Sequence, residues 1–110
     1  MRQLAYVDET HRALVAFVDH DPEPVGMAQL VRDGDSAEIA FAVADEYQRR
    51  GIGSALASEL VAAARVAGVE EITALVARDN PAALALLRRT LGRLRITFDG
   101  ADLSVRAAIR

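Results

Sequence analysis

Cysteine and lysine are both absent from the 110-residue chain. Without cysteine there is no disulfide, no thiolate nucleophile and no cysteine-based zinc site. Without lysine the chain offers no lysine side chain of its own to modify, and a phosphate loop of the Gly-Lys-Ser/Thr type is excluded. All thirteen basic residues are arginine, a composition bias, and sixteen acids outnumber them to leave a net charge of −3. That balance argues against general nucleic-acid binding, which needs surplus positive charge along a phosphate backbone. Histidine is scarce too. His11 and His20 lack helical spacing, read as surface residues, and leave no metal site expected. The N-terminus, MRQLAYVDETHR, has no uninterrupted apolar core of the kind a signal peptide carries. No stretch is long and apolar enough to span a membrane. The expected setting is soluble, reducing and cytoplasmic, with neither nucleic acid nor membrane as a partner.

What is present is apolar. At 52% hydrophobic content, residues 1–110 suit one globular domain with a single core. Residues 1–10 give a weak signal, compatible with a loose lead-in or a partial helix. Arg12 to Asp19 is a short apolar run that predicts a strand, ended by Asp21-Pro22-Glu23-Pro24. Val25 to Arg32 predicts a second strand, with Gly26 marking a bulge or a close approach. Asp33-Gly34-Asp35 has hairpin chemistry, and Ser36 to Val43 completes an antiparallel meander.

From Gly51 the apolar period changes from two to 3.6. Ile52, Leu56, Leu60, Ala63 and Ala67 share a stripe, with Ala55 beside it, and Gly68 is placed to end the helix. Glu71 to Ala77 predicts a strand parallel to the one before the helix. Asn80-Pro81 is a helix start, with Asn as cap and Pro at the first helical position. Leu84, Leu87 and Leu91 form its apolar seam up to Gly92, and Leu94 to Phe98 with Leu103 to Ile109 make a closing hairpin. The expected fold is α+β: a mixed sheet of order βββαβαββ.

The segment Gln48-Arg49-Arg50-Gly51-Ile52-Gly53-Ser54 lies between the third strand and the first helix. Free backbone N–H groups at a helix start, the macrodipole and close approach over glycine together favour a phosphate there. A dinucleotide fingerprint would need a third glycine at position 56, where the sequence has the stripe residue Leu56. The nucleotide readings therefore fail.

At these residues the sequence resembles the GNAT superfamily of acyl-CoA-dependent N-acyltransferases. Gln48-Arg49-Arg50-Gly51-Ile52-Gly53 matches that family's Gln/Arg-x-x-Gly-x-Gly/Ala loop. The likeness runs on through the helix, the next strand, Asn80 and the Leu-rich second helix with Arg88-Arg89. The run DSAEIAFAVADEYQRRGIG further resembles the acetyltransferase domain of cyclic-nucleotide-regulated protein lysine acetyltransferases. The resemblance implies an N-acetyltransferase moving an acetyl group from acetyl-CoA to a primary amine, a protein lysine as first acceptor, with no metal.

It also implies roles for particular residues. The amides from Arg49 to Ser54, including Arg50, Gly51, Ile52 and Gly53, would cradle the CoA pyrophosphate, with Arg49 and Arg50 adding charge. The main chain of Phe41, Ala42 and Val43 would pair with the pantetheine arm like an added strand. Asn80 stands where the family places a cofactor-contacting Asn, although capping alone also accounts for it. Glu38, on a face shared with Ala40 and Ala42, would be the general base; otherwise it is a solvated strand residue.

Two departures qualify the resemblance. The family's tyrosine acid, seven residues after the Asn, is here Leu87; Tyr47 reads as a packing residue. The family's usual N-terminal strand and two helices also have little room ahead of Arg12. A short domain with an open acceptor side, completed by a second subunit as a homodimer, is the resulting expectation. A non-catalytic acyl-CoA-binding regulatory module is the alternative, and an interaction domain that has lost the cofactor is a third.

Overall fold

The computed structural model describes residues 2–7, 10–17, 22–43 and 51–110. Four strands open the chain: β1 (Arg2–Val7), β2 (His11–Phe17), β3 (Gly26–Asp33) and β4 (Ser36–Val43). Helix α1 (Ile52–Val66), strand β5 (Glu71–Ala77), helix α2 (Pro81–Leu91) and the hairpin β6 (Arg95–Asp99) and β7 (Asp102–Ala108) follow. The strands form a single mixed sheet of order β1-β2-β3-β4-β5-β7-β6, with β4 and β5 its parallel pair.

The α+β class and the element order from β2 onward stand as expected. The lead-in does not. Residues 2–7 are a strand, antiparallel to β2 from Arg2 opposite Phe17 to Val7 opposite Arg12. The strand that the resemblance left mostly missing is therefore present, and the order becomes ββββαβαββ. Its hydrophobic pattern was illegible because Leu4 and Val7 are both exposed at a sheet edge, so pairing with β2 rather than burial defines it. His11, expected at the surface, is half-buried in β2 opposite Val31; His20 lies outside the described residues.

The core lies on one face of the sheet. Leu14, Ala28, Leu30, Ala37, Ile39, Ile72, Val76 and Val105 pack there beneath Leu56, Leu60, Val61 and Leu87 of the helices. The buried stripe of α1 is Ile52, Leu56, Ala57, Leu60, Val61 and Ala64. Ala63 and Ala67, expected on it, are half-buried and exposed respectively. A stripe read from every third or fourth residue fits two neighbouring faces of an Ala-rich helix, and packing selects between them.

Glycine permits the closest contact. A Cβ on Gly26 would meet Ile52 Cγ2 at 3.2 Å, Leu56 Cδ1 at 3.3 Å and the Ala42 carbonyl at 3.4 Å. The first turn of α1 thus sits directly on β3, which sets the start of the helix beside the end of β4.

Among the described residues, the opposite face carries no helix. Leu4, Met27, Val31 and Leu75 are exposed there alongside Glu38, Ala40 and Ala42. At its polar end, Glu71 splits its two oxygens between Arg95 and Arg106, each at 2.9 Å, joining β5, β7 and β6.

Candidate functional site

Three local structures converge at one end of the sheet. The first is the start of α1. Gly51 caps it with φ of 81°, a left-handed conformation that glycine adopts without a Cβ clash. Its carbonyl accepts from the Ala55 N–H at 2.9 Å, closing the first turn. Glycine has no side-chain oxygen to cap the helix, and the first turn holds no acidic residue. The N–H groups of this turn are oriented for an anion.

The second is the end of β4. β5 pairs with it only at Ser36–Glu71, Ala37–Ile72 and Glu38–Thr73. β5 continues alongside β7 as far as Ala77, and β4 continues alongside β3 as far as Val43. Past Glu38 the two strands part. Among the described residues, the β5-facing main chain of β4 from Ile39 to Val43 has no ladder partner there.

The third is the start of α2. Asn80 Oδ1 accepts from the Ala83 N–H at 3.2 Å, a side-chain cap, and Pro81 occupies the first helical position. Main-chain bonds from Asn80 N–H to the Ala77 carbonyl at 3.0 Å and from Arg78 N–H to the Ala101 carbonyl at 3.2 Å hold the preceding turn. The cap uses the acceptor of Asn80, leaving its two amide donors for other partners.

Between these parts lies a cleft of about 310 Å³, lined by Phe41, Ala42, Gly51, Gly53, Ser54, Asn80, Ala82, Ala83, Leu86 and Arg89. The structure therefore brings Phe41, Ala42, Gly51, Gly53, Ser54 and Asn80 together from three separate stretches of chain. Ile52 belongs to the loop in sequence, but its side chain is core. Val43 ends β4. Gln48, Arg49 and Arg50 lie outside the described residues, as does Tyr47. Glu38 does not line the cleft; it is exposed on the helix-free face at the point where β4 and β5 part. Leu87 is fully buried against the sheet.

Ala82, Ala83 and Leu86 were not singled out from the sequence, and Arg89 was named there only as part of the family likeness of the second helix. A signal was available: they follow Asn80 at helical spacing, and Ala82, Leu86 and Arg89 repeat at four and then three. Counting from a cap identifies the face of a helix that accompanies it.

A family model described as the acetyltransferase (GNAT) family matches residues 2–92. The chain belongs to that family. Among curated proteins it is similar to Acetyltransferase Pat of Mycolicibacterium smegmatis, 41% identical over 81 residues, which make up 71% of this chain and 23% of that protein. The chain thus spans about a quarter of that relative's length. Among solved structures, a cAMP-binding acyltransferase from Mycobacterium smegmatis superposes with a TM-score of 0.80 at 29% identity, over 94% of this chain and 33% of that one. The fold is also shared with an N-acetyltransferase of Thermoplasma acidophilum, solved in complex with coenzyme A. That structure gives a TM-score of 0.78 at 22% identity, over 90% of this chain and 61% of that one.

Among the described residues, no helix is long and apolar enough to cross a membrane, and no group of three or more His, Asp or Glu side chains is arranged to hold a metal.

Proposed function

We propose that this GNAT-family chain binds acetyl-CoA in the cleft between β4, the start of α1 and α2, and transfers the acetyl group to a primary amine. The observation that carries the reading is the parting of β4 and β5 beside an N–H-rich helix start. The helix start suits a diphosphate, and the unpaired edge of β4 from Ile39 to Val43 suits an amide-bearing arm laid alongside it as an added strand. An arm lying along that edge enters the gap where β4 and β5 separate. Its thioester end would then meet the helix-free face next to Glu38. The loop residues Gln48 to Ser54 take the pyrophosphate in this reading, and Asn80 adds amide donors.

The chemistry is a direct displacement. The amine nitrogen forms a bond to the thioester carbonyl carbon, the carbon–sulfur bond breaks, and the CoA thiolate leaves to be protonated. A lysine ammonium has a pKa of about 10.4, so presenting it as the free amine at pH 7 costs about 4.6 kcal/mol. Glu38, as general base directly or through a water, takes that proton. Ala40 and Ala42 on the same face leave room for the acceptor. A thiol with pKa of about 8.5 leaves without an acid, which makes the leucine at position 87 compatible with turnover.

We take the acceptor to be a protein lysine, from the resemblance of residues 35–53 to cyclic-nucleotide-regulated protein lysine acetyltransferases, and the working compartment to be the cytoplasm, as expected from the sequence. The helix-free face, with Leu4, Met27 and Val31 exposed beside Glu38, motivates a second subunit that completes the acceptor side. Buried Leu87, at the position of the family's tyrosine, favours a second reading: a regulatory module that binds acyl-CoA without turning it over.

Calorimetric titration with acetyl-CoA and CoA, followed by thiol release on small amines and lysine peptides, separates these readings. Binding with thiol release supports the transferase, and binding without release supports the regulatory module. Failure to bind either cofactor overturns both.

A further inference from the structure

β6 is an edge of the sheet, with β7 its one ladder partner among the described residues. Arg95, Thr97 and Asp99 lie opposite Arg106, Ser104 and Asp102, while Ile96 and Phe98 lie opposite Val105 and Leu103. Val105 is core, so strand alternation turns Ile96 and Phe98 to the helix side and the other three to the helix-free side. Like charges therefore stand opposite each other at both ends of the hairpin. Arg95 and Arg106 share Glu71, each at 2.9 Å, which leaves that end with surplus positive charge. Asp99 and Asp102 leave the other end negative and, among the described residues, without an ion pair. Directly opposed like charges cost stability.

The edge also presents main-chain groups. Gly100 and Ala101 close the hairpin between Asp99 and Asp102. The pair that closes a two-residue hairpin is hydrogen-bonded, and ladder alternation then turns the N–H and C=O of Ile96 and Phe98 outward. Edges that resist association carry charges, a proline or a bulge. β6 has neutral Thr97 at its centre, no proline, and an unbroken register with β7.

We propose that β6 pairs with β6 of a second copy of this chain, antiparallel about a two-fold axis through Thr97. That register sets Arg95 against the partner's Asp99 and Ile96 against the partner's Phe98, and symmetry repeats both pairs. The positive end of each hairpin thus meets the negative end of the other. Arg95 has donors for this, since its contact with Glu71 uses one of the five N–H groups of a guanidinium. Phe98, 75% exposed, gains an apolar neighbour. The outward groups of Ile96 and Phe98 fall opposite each other in the same register, so the main chains can bond as well. The sheet becomes continuous across two chains, with both helix-free faces on one side. Glu38 lies three strands from the junction, roughly 14 Å, so the pairing neither needs nor obstructs the acyl-CoA reading.

The test is sedimentation equilibrium at low salt over roughly 10 to 500 µM, where a small interface associates. The wild type is compared with Arg95→Asp, Asp99→Arg and an equimolar mixture of those two variants. The wild type is expected to pass from monomer to dimer. Each variant alone opposes like charges across the axis and should associate about tenfold more weakly. The mixture should recover a dimer, because every cross-strand charge pair in it is of opposite sign. A wild type that stays monomeric overturns the proposal, as does a dimer that survives unchanged in either variant or a mixture that does not recover. Thermal unfolding reports whether each variant folds. Should either fail to fold, Thr97→Arg decides: it puts two guanidiniums on the axis, so loss of the dimer supports the pairing and a persisting dimer overturns it.

Discussion

Glu38 and Thr73 form the last pair of the parallel ladder between β4 and β5, and both face the helix-free side of the sheet. One residue farther on, β4 has no ladder partner on the β5 side among the described residues. A carboxylate at that boundary can serve chemistry emerging through the gap without occupying the cofactor cleft. Glu38→Gln is therefore expected to lower amine acetylation about 10²-fold near neutral pH and leave CoA affinity unchanged. Without the base, turnover depends on amine that is already neutral, a fraction that rises tenfold per pH unit below about 10.4. The deficit should narrow as pH increases. Steady-state thiol release across pH, paired with calorimetry, measures both; unchanged turnover would remove Glu38 from the mechanism.

The cap that Asn80 makes and the cofactor contact proposed for it are separable. Asn80→Ala removes the oxygen that accepts from the Ala83 N–H and should cost about 1 kcal/mol of stability. Asn80→Asp keeps an oxygen for the cap but loses the amide donors. Thermal unfolding should thus find the Asp variant near wild type, while acetyl-CoA titration finds it weakened. Wild-type affinity in Asn80→Asp would reduce Asn80 to a cap.

Gly26→Ala tests the seating of α1. The new Cβ would approach Ile52 and Leu56 to 3.2 and 3.3 Å, so these side chains, or the helix that carries them, must give way slightly. A loss of about 1–3 kcal/mol is expected in chemical denaturation, together with weaker CoA binding because Gly51 and Gly53 move with the helix. Full stability with full affinity would show that the contact yields freely.

Leu87→Tyr does not recover a catalytic acid. The position is fully buried against the sheet, so a phenol there is overpacked and its hydroxyl loses water, at a cost of about 1–3 kcal/mol. Unfolding midpoints should fall while thiol release stays level or drops. A gain in turnover would mean that this face of α2 reaches the reacting thioester.

Much of this fold was legible because local chemistry and final structure agree. Asn80-Pro81 starts α2, Gly68 and Gly92 follow the two helices with positive φ, and Gly34 and Gly100 turn the hairpins that their sequences announce. The glycine loop was legible for the same reason: a helix start and its capping glycine are properties of a few consecutive residues. β1 was not legible, since an edge strand with exposed Leu4 and Val7 carries no burial pattern and exists through its ladder with β2. The face of α1 was ambiguous because alanine fits either side of a helix.

For the loop and for Asn80, the sequence alone determined which residues could offer N–H groups and donors to an anion. Only the tertiary structure decided what they offer them around. Gly26 lets α1 settle on β3, β5 leaves β4 after Thr73, and α2 swings Ala82, Leu86 and Arg89 alongside. A cleft is a relation among segments distant in the chain. Its shape depends on where strands part and helices cross, and no single stretch of residues encodes that.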